Sequence, residues 1–131
     1  MSKRMVRVVA ALVAVDGKYL ITQRRKTAVL PSLWEFPGGR VEPNETDADA
    51  LTREVKGRLG VAIAVGQMIS YVRHPYEHYT VDLHLYECRL LTPELRTLAV
   101  QAFRWIRSEE FDDYAFAPAD EASMTQLLGE G

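Results

Sequence analysis

One long stretch of this sequence sets its apolar residues at helical spacing, and it lies between segments patterned as strands. Ala48, Leu51, Val55 and Leu59 recur three and four residues apart, which lines one face of an α-helix. Thr46, with Asp49 three residues on, forms a weaker version of the capping box, and acidic residues fill the first turn as the helix dipole prefers. Gly60 follows where a helix would end. A helix with one apolar stripe must bury it against another layer. The 131 residues, 47% of them apolar, suffice for one core. The chain is therefore expected to form a single domain over residues 1–131.

What surrounds the helix is mostly strand. Met5 to Val15 is a β-branched and alanine-rich run, Asp16-Gly17 is a tight-turn signal, and Lys18 to Arg24 returns as a second strand of a hairpin. Arg25 to Leu33 is a polar loop containing Pro31, and Trp34-Glu35-Phe36 is a short extended piece stopped by Pro37-Gly38-Gly39. Beyond the helix, Val61 to Arg73 and Tyr79 to Leu90 form strands joined across His74-Pro75-Tyr76-Glu77. Leu91 to Val100 is a connection, Gln101 to Ile106 a strand, Ser108 to Phe111 a short helical turn, and Pro118 to Leu128 a closing amphipathic helix. Strands with two helices predict an α/β (α+β) architecture, a mixed β-sheet sandwiched between helices.

Composition narrows the function classes. A formal net charge of −2 argues against duplex nucleic acid as a partner, because that binding needs a basic surface. No apolar run approaches the roughly 20 residues of a membrane span, and Met1-Ser2-Lys3-Arg4 leads into a strand with no signal-peptide region. A cytoplasmic protein is expected. The lone Cys88 excludes an intrachain disulfide framework and suits a small buried hydrophobe. His74 and His78 flank a turn with no third ligand near in sequence, so a solvated turn is preferred to a metal pair. His84 alternates with Leu83 and Leu85 and is read as a partly exposed sheet residue rather than a cleft residue.

The chemistry gathers in one segment: Gly38-Gly39, Glu45, Arg53-Glu54 within the helix, and Gly60-Val61. Five residues separate Gly39 from Glu45 and seven separate Glu45 from Arg53. This resembles the Nudix box, G-x5-E-x7-R-E-U-x-E-E-x-G-U with U aliphatic. The approach Leu33-Trp34-Glu35-Phe36-Pro37-Gly38-Gly39 is similar to that of MutT-type Nudix hydrolases. Thr22-Gln23-Arg24, Gln101-Ala102-Phe103-Arg104-Trp105 and Ala117-Pro118-Ala119-Asp120 extend the likeness over nearly the whole chain. The resemblance implies a Nudix fold and a pyrophosphohydrolase acting on nucleoside triphosphates such as CTP or oxidised purine nucleotides, releasing monophosphate and pyrophosphate.

Hydrolysis of a diphosphate linkage requires neutralising phosphate oxygens and activating a water, which magnesium or manganese does well. Such hard cations take oxygen ligands, and a helix turns positions three and four apart to one face. The resemblance accordingly implies Glu54 and Glu45 as metal ligands and catalytic residues, with Arg53 orienting the carboxylates by charge-assisted hydrogen bonds. It implies Arg24 at phosphate, Gly38 and Gly39 beside the substrate, Phe36 against the base, and Asp120 reading the base edge. Asp120 also suits a cap of the last helix.

The sequence departs from the box where its metal face should be. Gly57 and Arg58 stand at the two later glutamate positions, and Ala99 stands where a further glutamate precedes the late strand. Glu54 and Arg58 also have the i,i+4 spacing of an ordinary helix-surface ion pair. With its position in the box, Arg58 is assigned to the substrate site. Metal is expected to bind weakly and metal-dependent hydrolysis to be impaired. The alternative is a catalytically weak or inactive nucleotide-binding or sensing module. The expected partner is a small-molecule nucleotide, and a homodimer is compatible with the sequence.

Overall fold

The computed structural model describes residues 3–128. Met1 and Ser2, the start of the N-terminal lead-in, lie outside the described residues. The first strand, β1, runs Arg4–Val15 and turns at Asp16-Gly17 into β2, Lys18–Gln23. Both turn residues have positive φ, 52° and 77°, as the tightest hairpin turn requires. Short strands β3 (Trp34–Glu35) and β4 (Gly38–Arg40) precede the helix α1, Asp47–Leu59. The long strands β5 (Ile63–Pro75) and β6 (Tyr79–Leu90) follow. The chain closes with β7 (Ala102–Ile106), a 3₁₀ turn at Ser108–Asp113 and α2, Pro118–Leu128.

The sheet is mixed. β1 pairs in parallel with β6 and antiparallel with β4, while β5 pairs antiparallel with β6. The β1–β2 hairpin carries the sheet on to β2, which has β3 on one side and β7 on the other, all antiparallel. The pleat sorts β1 between two cores. Val6 and Ala10 face the layer that contains Phe36, Phe111, Phe116 and Met124 of α2. Val9, Ala11 and Val13 face Ala50, Leu51, Val55 and Leu59 of α1. Each large side chain fully buried here contributes about 1.5–3 kcal/mol.

Both ends of α1 are closed as its sequence requires. Thr46 Oγ1 accepts the Asp49 amide at 3.1 Å, and Gly60, at φ 72°, donates to Lys56 O. Ala50 is buried and Ala48 exposed, so the stripe begins two positions after the expected alanine. The Gly38-Gly39 segment, expected to stop an extended piece, is itself a strand, because glycine lets its backbone lie close against Val9 and Ala10. Asp120 does not cap α2. It sits inside the first turn, at 7% exposure, and accepts the Phe36 amide at 3.0 Å. Among the described residues no helix is long and apolar enough to cross a membrane.

Candidate active site

The box residues meet where α1 passes over β4. Arg53 spans two carboxylates, donating from Nε and Nη2 to Glu45 at 2.7 and 2.9 Å and from Nη1 to Glu54 Oε2 at 2.9 Å. Its Nη2 also reaches Arg40 O at 3.0 Å, which ties α1 to β4. Arg58 donates from Nε to the other Glu54 oxygen at 2.8 Å, and its Nη1 lies 3.8 Å from Glu35 Oε2. Arg24 completes the series, with Nη1 3.1 Å from Glu35 Oε1 and Nε donating to Val29 O at 2.6 Å. Glu45, Arg53, Glu54, Arg58, Glu35 and Arg24 thus alternate in sign along one continuous chain of contacts. The space in front of Gly39 is filled by the Glu54 carboxylate, which would lie 2.3 Å from a Cβ placed there.

These pairings set the titration of the acids. Hydrogen bonding from Arg53, helped by the Glu42 amide, holds Glu45 down to about 2. Its folded value lies below the ordinary glutamate value of about 4.5, so the ionised pair stabilises the fold above that pH. The contribution is lost as pH falls towards about 2. A carboxyl-detected NMR titration is expected to give Glu45 a midpoint near 2, returning to the ordinary glutamate range in Arg53→Ala. An ordinary midpoint in the unmodified protein would contradict the pairing. Burial pushes Glu35 up despite Arg24 and Arg58. Burial, reinforced by the charge of Glu35, raises Asp120 well above the usual carboxylate range.

Three adjoining hollows open around this chain. An apolar cleft of about 390 Å³ is walled by Tyr76, Tyr79, Val81 and Leu83 and reaches Asp120. A smaller hollow of about 150 Å³ lies over Gly38 and Gly39. A third, of about 450 Å³, lies between α1 and the loop after β2. Arg24 borders all three. Phe36 touches the smallest hollow, but its ring is 2% exposed and packs against Phe111 and Phe116, so it is core rather than an open base-stacking surface. His84 faces α1, away from the cleft, with Nδ1 3.5 Å from Asp47 Oδ2.

The structure brings Arg24, Gly38, Gly39, Arg58 and Asp120 around the hollow over the two glycines, and Arg53 and Glu54 line the neighbouring hollow together with Arg24 and Arg58. Glu45 touches it only through Arg53. Sequence reasoning missed Glu35, Arg25 and Tyr76. Glu35 had a usable signal: between Trp34 and Phe36 in an extended segment, it must point to the opposite face from both.

A family model described as the NUDIX domain matches residues 8–126. The chain is 36% identical over 117 residues to the CTP pyrophosphohydrolase of Escherichia coli (strain K12), covering 89% of this chain and 87% of that one. It is 25% identical over 131 residues to an 8-oxo-dGTP diphosphatase of Haemophilus influenzae, covering 99% and 96%. The crystal structure of a MutT protein from Methanosarcina mazei Go1 superposes with a TM-score of 0.86 over 98% of this chain and 95% of that one, at 19% identity, a likeness of fold alone. The chain belongs to the Nudix hydrolase family, as a MutT-like member.

Nudix hydrolases generally use divalent metals such as magnesium or manganese. The residues present here do not fit one. Among the described residues no group of three or more His, Cys, Asp or Glu side chains lies together as a metal would need. Both Glu54 oxygens and both Glu45 oxygens already accept from guanidinium groups. A magnesium ion requires several oxygen ligands in near-octahedral array and retains water reluctantly given up. An arginine at 58 places a permanent cation where that ion would have to sit.

Proposed function

We propose that this chain binds nucleoside triphosphates, with the base in the apolar cleft and the phosphates directed past Arg24, and that its release of pyrophosphate from them is impaired. The single observation that supports this most is that the cleft above Asp120 and the cavity beside Arg58 adjoin, with Arg24 lining both. Ligand sites combine apolar walls with a few fixed polar groups. Tyr76 and Tyr79, stacked with centroids 5.2 Å apart, supply a wall, and Asp120 supplies the polar group, suited to an exocyclic amino group. The relatives' substrates, CTP and 8-oxo-dGTP, are the first candidates. In this reading the protein acts on free nucleotide in the cytoplasm.

The test is a calorimetric comparison of Arg24→Ala and Asp120→Asn across CTP, dCTP, dGTP and 8-oxo-dGTP. Arg24→Ala is expected to weaken every nucleotide alike and to reduce the salt sensitivity of binding. Asp120→Asn retains an acceptor for the Phe36 amide but changes what the base meets, so it should reorder the bases. The change should be of order 1–3 kcal/mol for a base that loses its partner. Equal effects of both variants on every base would defeat this division of roles. A pyrophosphate-release screen over the same nucleotides, with magnesium and manganese each varied, measures the impairment directly.

A further inference from the structure

The three positions that lack the box-type acids, Gly57, Arg58 and Ala99, all line the single 450 Å³ cavity. Arg24, Arg25, Arg53 and Glu54 also line it, so four guanidinium groups face one carboxylate. Behind them Glu35 and Glu45 offset part of this charge, leaving one guanidinium in excess. The excess is Arg25, which forms no ion pair among the described residues and gives only Nη2 to Leu98 O, at 2.6 Å.

Donors decide what such a cavity can hold. Arg53 is framework, because all its nitrogens already donate within the protein. Arg58 gives only Nε, and its Nη1 stands too far from Glu35, at 3.8 Å, for a hydrogen bond. Arg24 gives Nε and Nη1, so its Nη2 has no acceptor among the described residues. Arg25 retains Nε and Nη1 in the same sense. Gly57 leaves the space open: a Cβ there would meet nothing within 4 Å. The result is a roomy hollow with several unused guanidinium N–H groups, the geometry that matches phosphate oxygens.

We propose that this cavity holds a pyrophosphate group directly on Arg24, Arg25 and Arg58, without a divalent cation. The proposal rests on the nucleotide-binding reading only for how the group arrives, as the tail of a triphosphate passing Arg24. Free pyrophosphate carries the same chemistry and needs no base cleft. Guanidinium charge then does the neutralising that metal ions do elsewhere in the family, and it does so for binding rather than for activating a water.

The experiment is calorimetry of the full chain with inorganic pyrophosphate and with CTP, each in EDTA and in excess magnesium. Pyrophosphate is expected to bind in EDTA, to bind more weakly in magnesium, which competes for its oxygens, and to be released by salt. Arg25→Ala, an exposed change that spares the ion-pair chain, and Arg58→Ala should each weaken it about tenfold or more, the size of a lost charge-assisted hydrogen bond. CTP bound equally well in EDTA would identify the triphosphate tail as the source. Pyrophosphate bound without any CTP binding would support a free-pyrophosphate site and would count against the nucleotide reading instead. Binding of both ligands only with magnesium would overturn the cavity proposal and leave the nucleotide reading intact, and indifference to both variants would overturn it as well.

Discussion

The double variant Gly57→Glu, Arg58→Glu is expected to acquire magnesium-dependent pyrophosphate release, on the order of 10²-fold or more above the unmodified chain, the scale at which one electrostatic stabiliser acts in catalysis. Four physical changes point the same way. Glu54 Oε1 loses the Arg58 N–H that now donates to it at 2.8 Å. Positions 54, 57 and 58 lie within one helical turn of each other, so three carboxylates would share a face. A side chain at 57 enters open space. Replacing a helix-interior glycine by glutamate also stabilises α1 by roughly half a kcal/mol, which offsets part of the repulsion among the new acids. Arg58→Ala alone removes the cation without supplying ligands and should show no comparable gain. Release of pyrophosphate would be followed against magnesium concentration. Fast magnesium-dependent release by the unmodified protein, unaffected by Glu54→Gln, would place the chemistry elsewhere.

The second large effect is on stability. Gly38→Ala is expected to cost about 3 kcal/mol or more, at the upper end of what overpacking does. A Cβ at 38 would stand 2.0 Å from Val9 O and 2.7 Å from Ala10 Cα. Those are backbone atoms of the central strand, and no rotamer relieves the overlap. Pairing of β4 with β1 would have to break, and with it the hydrogen bonds from Ala11 N to Pro37 O and from Val41 N to Arg7 O. The neighbouring Gly39→Ala meets only the end of the Glu54 side chain. It should disturb the ion-pair chain far more than the fold. Gly57→Ala should be mildly stabilising. Urea titrations of the three variants check this ordering, and equal losses at 38 and 39 would contradict it.

The elements whose signals are local were legible in the sequence. The Asp16-Gly17 turn, the ends of α1 and the full extent of α2 all depend on residues a few positions apart. The strand β4 was not legible, because two glycines carry no strand preference and the segment is a strand only by lying against β1. The site divides in the same way. Arg53, Glu54 and Arg58 could be placed together because helical spacing is arithmetic. The burial of Asp120 against the Phe36 amide, 84 residues away in the chain, has no local signature. Neither has the position of Glu35 between Arg24 and Arg58, which needs three separate elements to converge. Ala99 stands just before the late strand in the sequence, but only the fold shows that it shares a cavity with positions 57 and 58.

The parallel pairing of β1 with β6, from Arg4 opposite Tyr79 to Val13 opposite Cys88, bears on how the protein reaches this state at all. Partners in that ladder are about 75 residues apart in the chain. At roughly 5–20 residues per second, the ribosome releases β1 several seconds before the strand that covers its longest edge. Until then the apolar run Val8 to Val13 has the β2 hairpin, the short β4 and α1 beside it, but its edge towards β6 stays unpaired. Closing so distant a contact is entropically slow, and an unpaired apolar edge invites pairing with other chains. The nascent chain is thus expected to need chaperone protection until β6 emerges, and one halted before Tyr79 should aggregate rather than wait.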